Sequence, residues 1–147
     1  MSHRIYEYHL KVVNEHIDDF KHVNNEVYVN WMLSAASAHS ESLGYGMKKF
    51  LDSGSVFVVR RHELDYLLPA YLGEDLIVET WLSNFENVKC IREYQIKRKI
   101  DGKVIFKAKT LWVYINLKSG RPMTIPDSII DTYRSYLAEG KVEGTPQ

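Results

Sequence analysis

Hydrophobic and polar residues alternate along the first part of the chain. Tyr6, Tyr8, Leu10 and Val12 are separated by single polar residues. This two-residue period is typical of a half-buried strand, and it ends near Val13. The pattern therefore predicts an opening β-strand.

A helical period replaces this alternation from Asn25 onward, and it predicts a helix of about five turns. Asn24 or Asn25 is a natural N-cap, and Gly44 is a natural stop signal. The middle segment, SAASAHS, is rich in small side chains, as expected where a sheet approaches a helix closely. We predict a central, largely buried helix. Its period is marked by Tyr28, Trp31, Met32, Ala35, Ala38 and Ser42.

Four strand-like runs follow the helix. Asp101-Gly102 lies between two of them and favours a two-residue hairpin in which both residues take positive φ. A closing amphipathic helix is predicted with Pro126 in its first turn. The four runs are roughly residues 56–67, 75–84, 89–100 and 103–117, and the closing helix uses Ile129, Ile130, Tyr133 and Leu137.

The element order predicts one α+β domain over residues 1–140, followed by a polar tail over 141–147. Strands joined by short hairpins imply an antiparallel sheet, and the early helix must lie across its face. A chain of 147 residues with 45% hydrophobic content is sufficient for one core. The formal net charge of +0 creates no overall field, so we expect neither nucleic acid nor membrane as a partner.

The single cysteine, Cys90, excludes an internal disulfide and argues for a reducing compartment. The first ten residues, MSHRIYEYHL, lack the apolar core of a signal peptide, and no later apolar run is long enough to span a membrane. We therefore expect a cytoplasmic protein.

The densest group of polar residues precedes the central helix. The segment DDFKHVNN, from Asp18 to Asn25, is followed by Tyr28 and Trp31. It resembles the Asp-x-x-Gly-His-Val-Asn-Asn-x-x-Tyr signature of hotdog-fold acyl-CoA thioesterases of the 4-hydroxybenzoyl-CoA thioesterase type. It is also similar to the Asp-x-Asn-x-His-Val-Asn-Asn segment of acyl-ACP thioesterases.

A second part of the chain carries the same resemblance. The segments YLLPA and GEDL, at 66–70 and 73–76, are similar to the exit of the second strand and the following turn in this family. The resemblance implies a hotdog fold, in which an antiparallel sheet wraps around a long central helix. It also implies hydrolysis of an acyl-CoA without a metal or an organic cofactor, and a pocket between the subunits of a homodimer or homotetramer.

The resemblance assigns roles to individual residues. Asp18 matches the catalytic carboxylate, which acts as nucleophile or as base for water, and Asn25 supplies a backbone N–H that polarises the carbonyl. Helix physics supports the second role, because the first N–H groups of a helix lack partners and the dipole favours an oxyanion there. His22 either positions the substrate or hydrogen-bonds the loop. The expected substrate-binding residues are Asn24, Tyr28, Trp31, Glu63 and Tyr66.

Three positions depart from the family patterns. Lys21 replaces the usual glycine, so the loop must either avoid a positive φ there or tolerate strain. His16 stands where many of these thioesterases carry a first aspartate. Phe20 replaces the asparagine of the acyl-ACP enzymes, so the asparagine-assisted mechanism is not available in that form.

Several plainer interpretations remain open for the acidic residues. Asp18 could simply help to cap the helix, as could Asn24 and Asn25. Glu41 on the central helix is the alternative catalytic carboxylate, because another hotdog class takes its acid from there. Glu63 could equally be a solvent-facing acid paired with a neighbouring arginine. Asp19 is expected to face solvent, and Glu26 to be an acid favoured by the helix dipole.

Other constellations carry weaker signals. His16, Asp18 and His22 match no strong metal-ligand spacing, so no metal site is predicted. The serines of the helix lack a Gly-x-Ser-x-Gly elbow and are expected to be packing residues. Basic residues in the later strands form a solvated face, or some of them hold CoA phosphates. These are Lys89, Arg92, Lys97, Arg98, Lys99, Lys103, Lys107 and Lys109.

Two rival functions compete with thioester hydrolysis. Hotdog hydratases and dehydratases also use an aspartate and a histidine, but they resemble Asp-x-Asn-Pro-x-His. Here the spacing is Asp18-x-x-x-His22 without that proline. A non-catalytic acyl-CoA binding module is the second rival, and release of free thiol would separate both from a thioesterase.

Overall fold

A computed structural model of the chain describes residues 5–135 and 142–144. Within these residues the strands are β1 (Tyr6–Lys11), β2 (Ser55–Tyr66), β3 (Asp75–Glu86), β4 (Lys89–Arg98), β5 (Val104–Asn116) and β6 (Val142–Gly144). The helices are α1 (Asn25–Ser42), α2 (Met47–Ser53) and α3 (Asp127–Ser135), and a short 3₁₀ turn spans Asn14–His16. The predicted α+β class and the order of the predicted elements are confirmed.

Helix α1 has the boundaries that its sequence signals predict. The side chain of Asn24 accepts a hydrogen bond from the backbone N–H of Glu26, so Asn24 rather than Asn25 is the N-cap. At the other end, Leu43 is the C-cap and Gly44 follows with a φ of 85°, a left-handed conformation that glycine adopts at little cost.

The strands form one sheet in the order β2-β5-β4-β3-β1-β6. Neighbouring strands from β2 to β1 are antiparallel, whereas β6 lies parallel to β1. Strand β2 is therefore an edge of the sheet, and β6 covers the opposite side. The sequence pattern did not predict β6, which lies within the segment 141–147 expected to be a polar tail.

Helix α1 lies against one face of this sheet. Tyr28, Met32 and Ala35 are buried there among side chains from β3, β4 and β5. Ala35 is fully buried, and the small side chain at this position allows the sheet to approach the helix backbone, as the SAASAHS segment predicted. The helix thus forms the centre of the core, and its N-terminal end is fixed relative to the strands.

The expected two-residue hairpin at Asp101-Gly102 is wrong. Strand β4 ends at Arg98, whose carbonyl accepts a 2.8 Å hydrogen bond from the Gly102 N–H, and the chain returns at Lys103. Gly102 has a φ of 72°, but Asp101 keeps a negative φ. The Asp101 carboxylate instead accepts a 3.0 Å hydrogen bond from the Lys103 N–H, which stabilises a longer loop.

The closing helix α3 begins directly after Pro126, whose carbonyl accepts hydrogen bonds from the Ile129 and Ile130 N–H groups. Ile129 and Tyr133 are buried, as its amphipathic pattern predicts. Leu137, assigned to the same helix, lies outside the described residues. In the parts of the chain described here, every helix is too short or too polar to cross a bilayer.

Candidate active site

A short loop precedes α1 and is closed by backbone hydrogen bonds. Ile17 and Val23 form an isolated antiparallel bridge. Inside it, the Asp18 N–H donates to the His22 carbonyl at 2.9 Å, and the Lys21 N–H donates to the Asp18 carbonyl at 3.1 Å. These contacts return the chain on itself, so Asp18 lies beside His22 and close to the start of the helix.

The Asp18 carboxylate is held in this loop by one of its two oxygens. Oδ1 accepts hydrogen bonds from the backbone N–H groups of Phe20, at 2.9 Å, and His22, at 3.3 Å. Within the described chain Oδ2 accepts no hydrogen bond, and the side chain is half-buried. Asp18 does not cap α1, since Asn24 does so. The loop therefore orients the carboxylate and leaves one oxygen for other chemistry.

Lys21 makes this turn in the left-handed region, with a φ of 68°. A residue with a Cβ adopts that conformation at a cost, which is why glycine is common at such turns. The loop therefore tolerates the strain at the position where the family pattern has glycine. The exposed side chain of Lys21 extends into solvent.

The N-terminus of α1 presents unpaired backbone donors beside this loop. The Asn25 N–H has no hydrogen-bond partner among the described residues, and the Glu26 N–H makes only a 3.4 Å contact with the Asn24 side chain. Such groups and the helix dipole favour a negative charge at this end. The geometry therefore pairs a carboxylate with a potential oxyanion site.

An aromatic cluster supports this end of the helix. The Tyr66 hydroxyl donates a 2.8 Å hydrogen bond to the Asn25 carbonyl, and the Tyr28 hydroxyl accepts one of 3.2 Å from the Ala70 N–H. The rings of Tyr28 and Tyr66 meet edge to face at 5.2 Å, and Phe106 contacts both. Burial raises the pKa of Tyr28, and the nearby Asp18 charge is a smaller cause in the same direction.

The two histidines of this region have different environments. His16 is occupied by structural contacts, because its Nδ1 accepts a 3.0 Å hydrogen bond from the Val13 N–H and its ring packs edge-on against Trp31. His22 is exposed, and its ring packs edge-on against Tyr71 at 5.3 Å. His22 is therefore the histidine that a ligand in this region would meet.

The predicted substrate-binding residues lie in three different places. Asn24 and the half-exposed Tyr66 lie at the helix N-terminus, whereas Tyr28 and Trp31 are buried in the core behind it. Glu63 lies elsewhere: it faces away from α1 and pairs with Arg61 at 3.7 Å.

The alternative acids are also separated from Asp18. Glu41 is near the opposite end of α1, ~24 Å from Asn25 at 1.5 Å per residue. Ser40 hydrogen-bonds Tyr133 at 2.7 Å and Ser42 bonds the carbonyl of His39 at 2.6 Å, whereas Ser34 and Ser37 are exposed, so the expected packing role does not hold for every helix serine. Across residues 5–135 and 142–144, histidine, cysteine and acidic side chains form no group of three able to hold a metal ion.

The basic residues considered for CoA phosphates are not equivalent. Arg92 is buried on the face of the sheet that meets α1, so it is not part of a solvated face. Lys97 and Arg98 pair with acids, the first with Glu79 at 2.9 Å. Lys107 and Lys109 remain exposed on β5. The sequence did carry a signal for the buried arginine, because the alternation along β4 puts Arg92 on the same face as Cys90, Tyr94 and Ile96.

Comparison with known proteins gives a consistent result for sequence and structure. The family model for the acyl-ACP thioesterase N-terminal domain matches residues 3–133. The chloroplast acyl-acyl carrier protein thioesterase ATL3 of Arabidopsis thaliana is 26% identical over 134 residues, which cover 91% of this chain and 70% of that protein.

Two solved structures share the fold. A 1,4-dihydroxy-2-naphthoyl-CoA thioesterase from Synechocystis superposes with a TM-score of 0.81 at 16% identity, over 88% of this chain and 95% of that one. An acyl-ACP thioesterase from Bacteroides thetaiotaomicron superposes with a TM-score of 0.79 at 27% identity, over 86% of this chain and 52% of that one. The expected hotdog fold is confirmed.

Proposed function

Because this chain belongs to the acyl-ACP thioesterase family and is a thioester hydrolase, we propose that it cleaves an acyl-CoA with Asp18 as catalytic carboxylate and the N-terminus of α1 as oxyanion site. The single observation that supports this assignment best is the held carboxylate of Asp18, with one oxygen bonded to the loop and the other without a partner in the described chain.

The reaction requires a group that activates the attack on the thioester carbonyl. As a base, Asp18 Oδ2 takes a proton from water, and the resulting hydroxide bonds to the carbonyl carbon. As a nucleophile, the same oxygen bonds to that carbon directly and forms an anhydride that water then opens. In both routes the C–S bond breaks, the thiolate leaves and is protonated, and the free acid remains.

The carbonyl oxygen becomes negative in the tetrahedral intermediate. The Asn25 N–H is the donor assigned to it in this proposal, and the helix dipole adds to the stabilisation. Asn24 keeps the first turn in place as N-cap. His22, exposed beside Tyr71, is assigned to contact the bound substrate rather than to transfer a proton.

Acyl carrier protein is the alternative carrier of the acyl group. The family model and the Arabidopsis relative both carry the acyl-ACP name, which favours this second candidate. The CoA candidate is supported by the likeness to the Synechocystis CoA thioesterase. Both carriers present the same phosphopantetheine thioester, so the chemistry at Asp18 is the same.

The proposed active form is a homodimer or a dimer of dimers. Among the described strands β2 pairs only with β5, and it carries two exposed valines, Val58 and Val59, with 38% and 42% of their surfaces accessible. An open edge of this kind is a template for pairing with another strand. A second copy of β2 is the natural partner, because a two-fold axis pairs the same strand with itself.

A hydrolysis panel tests the proposal. The same acyl group is offered as acyl-CoA and as acyl-ACP, and release of free thiol is followed against product acid. We expect stoichiometric thiol and acid from at least one carrier. Disappearance of substrate without thiol would indicate a hydratase or dehydratase, and saturable binding without turnover would indicate a binding module.

A further inference from the structure

A cavity of about 400 Å³ lies between the C-terminal half of α1, helix α2 and the sheet. Its walls are mostly apolar and include Phe50, Phe57, Leu82 and Trp112. This volume is within the range of pockets that hold small organic ligands. The cavity is separate from the Asp18 loop of the same chain, because the buried core around Tyr28 and Trp31 lies between them.

A buried cation forms part of this apolar wall. Arg92 is only 3% exposed, and its Nη1 donates to His39 Nδ1 at 2.9 Å and to Thr80 Oγ1 at 3.1 Å. Its guanidinium also lies 6.0 Å from the centre of the Tyr133 ring. Because arginine can only donate, His39 Nδ1 must accept, and the imidazole is therefore neutral.

Arg92 has no carboxylate partner in the described part of the chain, and its Nε and Nη2 donate to none of those residues. Glu41 also lines the cavity, but its carboxylate is directed towards Gly46, where an added Cβ would lie 2.9 Å from Glu41 Oε1. A buried charge bonded only to neutral groups retains a large desolvation cost. An oxygen acceptor on a bound ligand would offset part of that cost.

The proposed dimer relates this cavity to the reaction centre. A two-fold axis that pairs β2 with a second β2 also reverses the direction of α1. The N-terminus of one α1, with its Asp18 loop, then lies at the same end of the assembly as the C-terminal half of the other α1. In that proposed dimer an acyl group attacked at one subunit's Asp18 would extend towards the cavity of its partner.

We infer that this cavity binds the distal part of the acyl group, and that Arg92 selects acyl groups carrying an oxygen acceptor there, either a carboxylate or a neutral carbonyl or hydroxyl. The inference rests on the proposed thioesterase function. In this inference Arg92 determines specificity by contacting the end of the acyl group that lies far from the thioester.

The kinetic test compares acyl-CoAs of equal chain length that end in a methyl group, a hydroxyl, a ketone or a carboxylate. We expect kcat/KM to be at least ~10-fold higher for an acceptor-bearing end than for methyl, the lower range for a hydrogen bond to a charged group. Comparison of the carboxylate-ended substrate with the hydroxyl- and ketone-ended substrates identifies which acceptor is preferred. Arg92→Met should abolish the discrimination and Arg92→Lys should keep part of it, whereas the exposed control Arg121→Met should leave it unchanged.

A binding test separates this inference from the proposed function. Isothermal titration with the corresponding free acids, diacids and hydroxy acids requires no turnover. Tighter binding of the diacid or hydroxy acid that is lost in Arg92→Met supports the inference even if no thioester is cleaved. Ser37→Phe, which narrows the cavity from a partly exposed position and leaves Arg92 in place, should weaken all of these ligands together.

Two results would overturn the inference. One is a wild-type preference for the methyl end that Arg92→Lys does not alter. The other is unchanged binding of every probe in Ser37→Phe, which would place the ligand outside the cavity. Thermal melting of each variant identifies any that has not folded, and Ser37→Phe keeps the inference testable if both Arg92 variants unfold.

Discussion

The Tyr66 hydroxyl donates a 2.8 Å hydrogen bond to the backbone carbonyl of Asn25, and it thereby joins the end of β2 to the first residue of α1. The same residue, Asn25, supplies the N–H group assigned to the oxyanion site. The position of that donor therefore depends on a side chain from a strand 41 residues away in the sequence.

Tyr66→Phe removes this hydrogen bond and keeps the ring that packs against Tyr28 and Phe106. We expect kcat to fall by up to ~10-fold, because a hydrogen bond of ~0.5–1.5 kcal/mol no longer fixes the helix start. Steady-state kinetics measures the change. A loss confined to KM would show that Tyr66 contacts the substrate and does not position the oxyanion donor.

Asp18→Asn should lower kcat at least ~10²-fold, the lower range for removing a positioned acid-base group. The asparagine Oδ1 can still accept from the Phe20 and His22 N–H groups, so the loop and the fold should persist. Circular dichroism and thermal melting check the fold. Glu41→Gln and Glu63→Gln are the matched controls and should retain activity.

An active Asp18→Asn enzyme together with an inactive Glu41→Gln enzyme would assign the chemistry to the central helix. The fold assignment would not change, because neither the Asp18 nor the Glu41 side chain is part of the buried core. The outcome would contradict the catalytic role proposed for the loop that carries Asp18.

Lys21→Gly should stabilise the protein by ~0.5–1 kcal/mol, because relief of a left-handed φ exceeds the entropy that glycine loses on folding. The φ of Lys21 is 68°. Urea denaturation measures the free energy of unfolding. Lys21→Ala is the matched control: it removes the same charge but keeps the Cβ, so it should give no gain. Equal stabilisation by both variants would show that charge, not backbone strain, is responsible.

Cys90 should resist thiol reagents in the native protein. Burial raises the pKa of its thiol to about 12, despite the opposing influence of Arg92, so very little thiolate exists at pH 8. Labelling with a chromogenic disulfide should proceed only after denaturation. Rapid stoichiometric labelling of the folded protein would mean that the thiol is accessible and ionised.

Light scattering should give a mass of at least twice the 17.2 kDa of the chain. Val58→Glu combined with Val59→Glu should shift the protein towards monomer, since a two-fold axis would bring like charges together along β2. Activity should fall with the dimer population. A stable, active monomer would contradict both the β2 interface and the shared pocket.

The periodic elements were the predictable part of the fold. The helical spacing from Asn25 to Ser42 indicates which face is buried, so the sequence contains that information directly. The alternation through Tyr6, Tyr8 and Leu10 predicted the strand itself, although Glu7 between them is buried as well. Helix α2 was missed because Met47–Ser53 is only seven residues long and contains no fully buried residue, so the helical spacing of Met47, Phe50 and Leu51 is too short to stand out as a period. Strand β6 is three residues long, too short for any period.

The local geometry of the candidate site was predictable where one contiguous segment builds it. The loop from Asp18 to Asn25 is contiguous, so the motif specified both the carboxylate and the helix start. The Tyr66–Asn25 hydrogen bond and the contact between Arg92 and His39 depend instead on how β2 and β4 pack against α1. Register and packing decide such contacts, and neither is visible in the spacing of residues along one strand.

The unequal edges of the sheet have a consequence for self-association. Strand β6 lies along β1 on one side, while β2 is open on the other. If two copies join through β2, the two open edges pair with each other. The joined sheet then ends on both sides in a strand of three residues. Such short ends offer little backbone for further strand addition. Growth by this route is self-limiting, which protects a β-rich enzyme from polymerising through the same edge that assembles it.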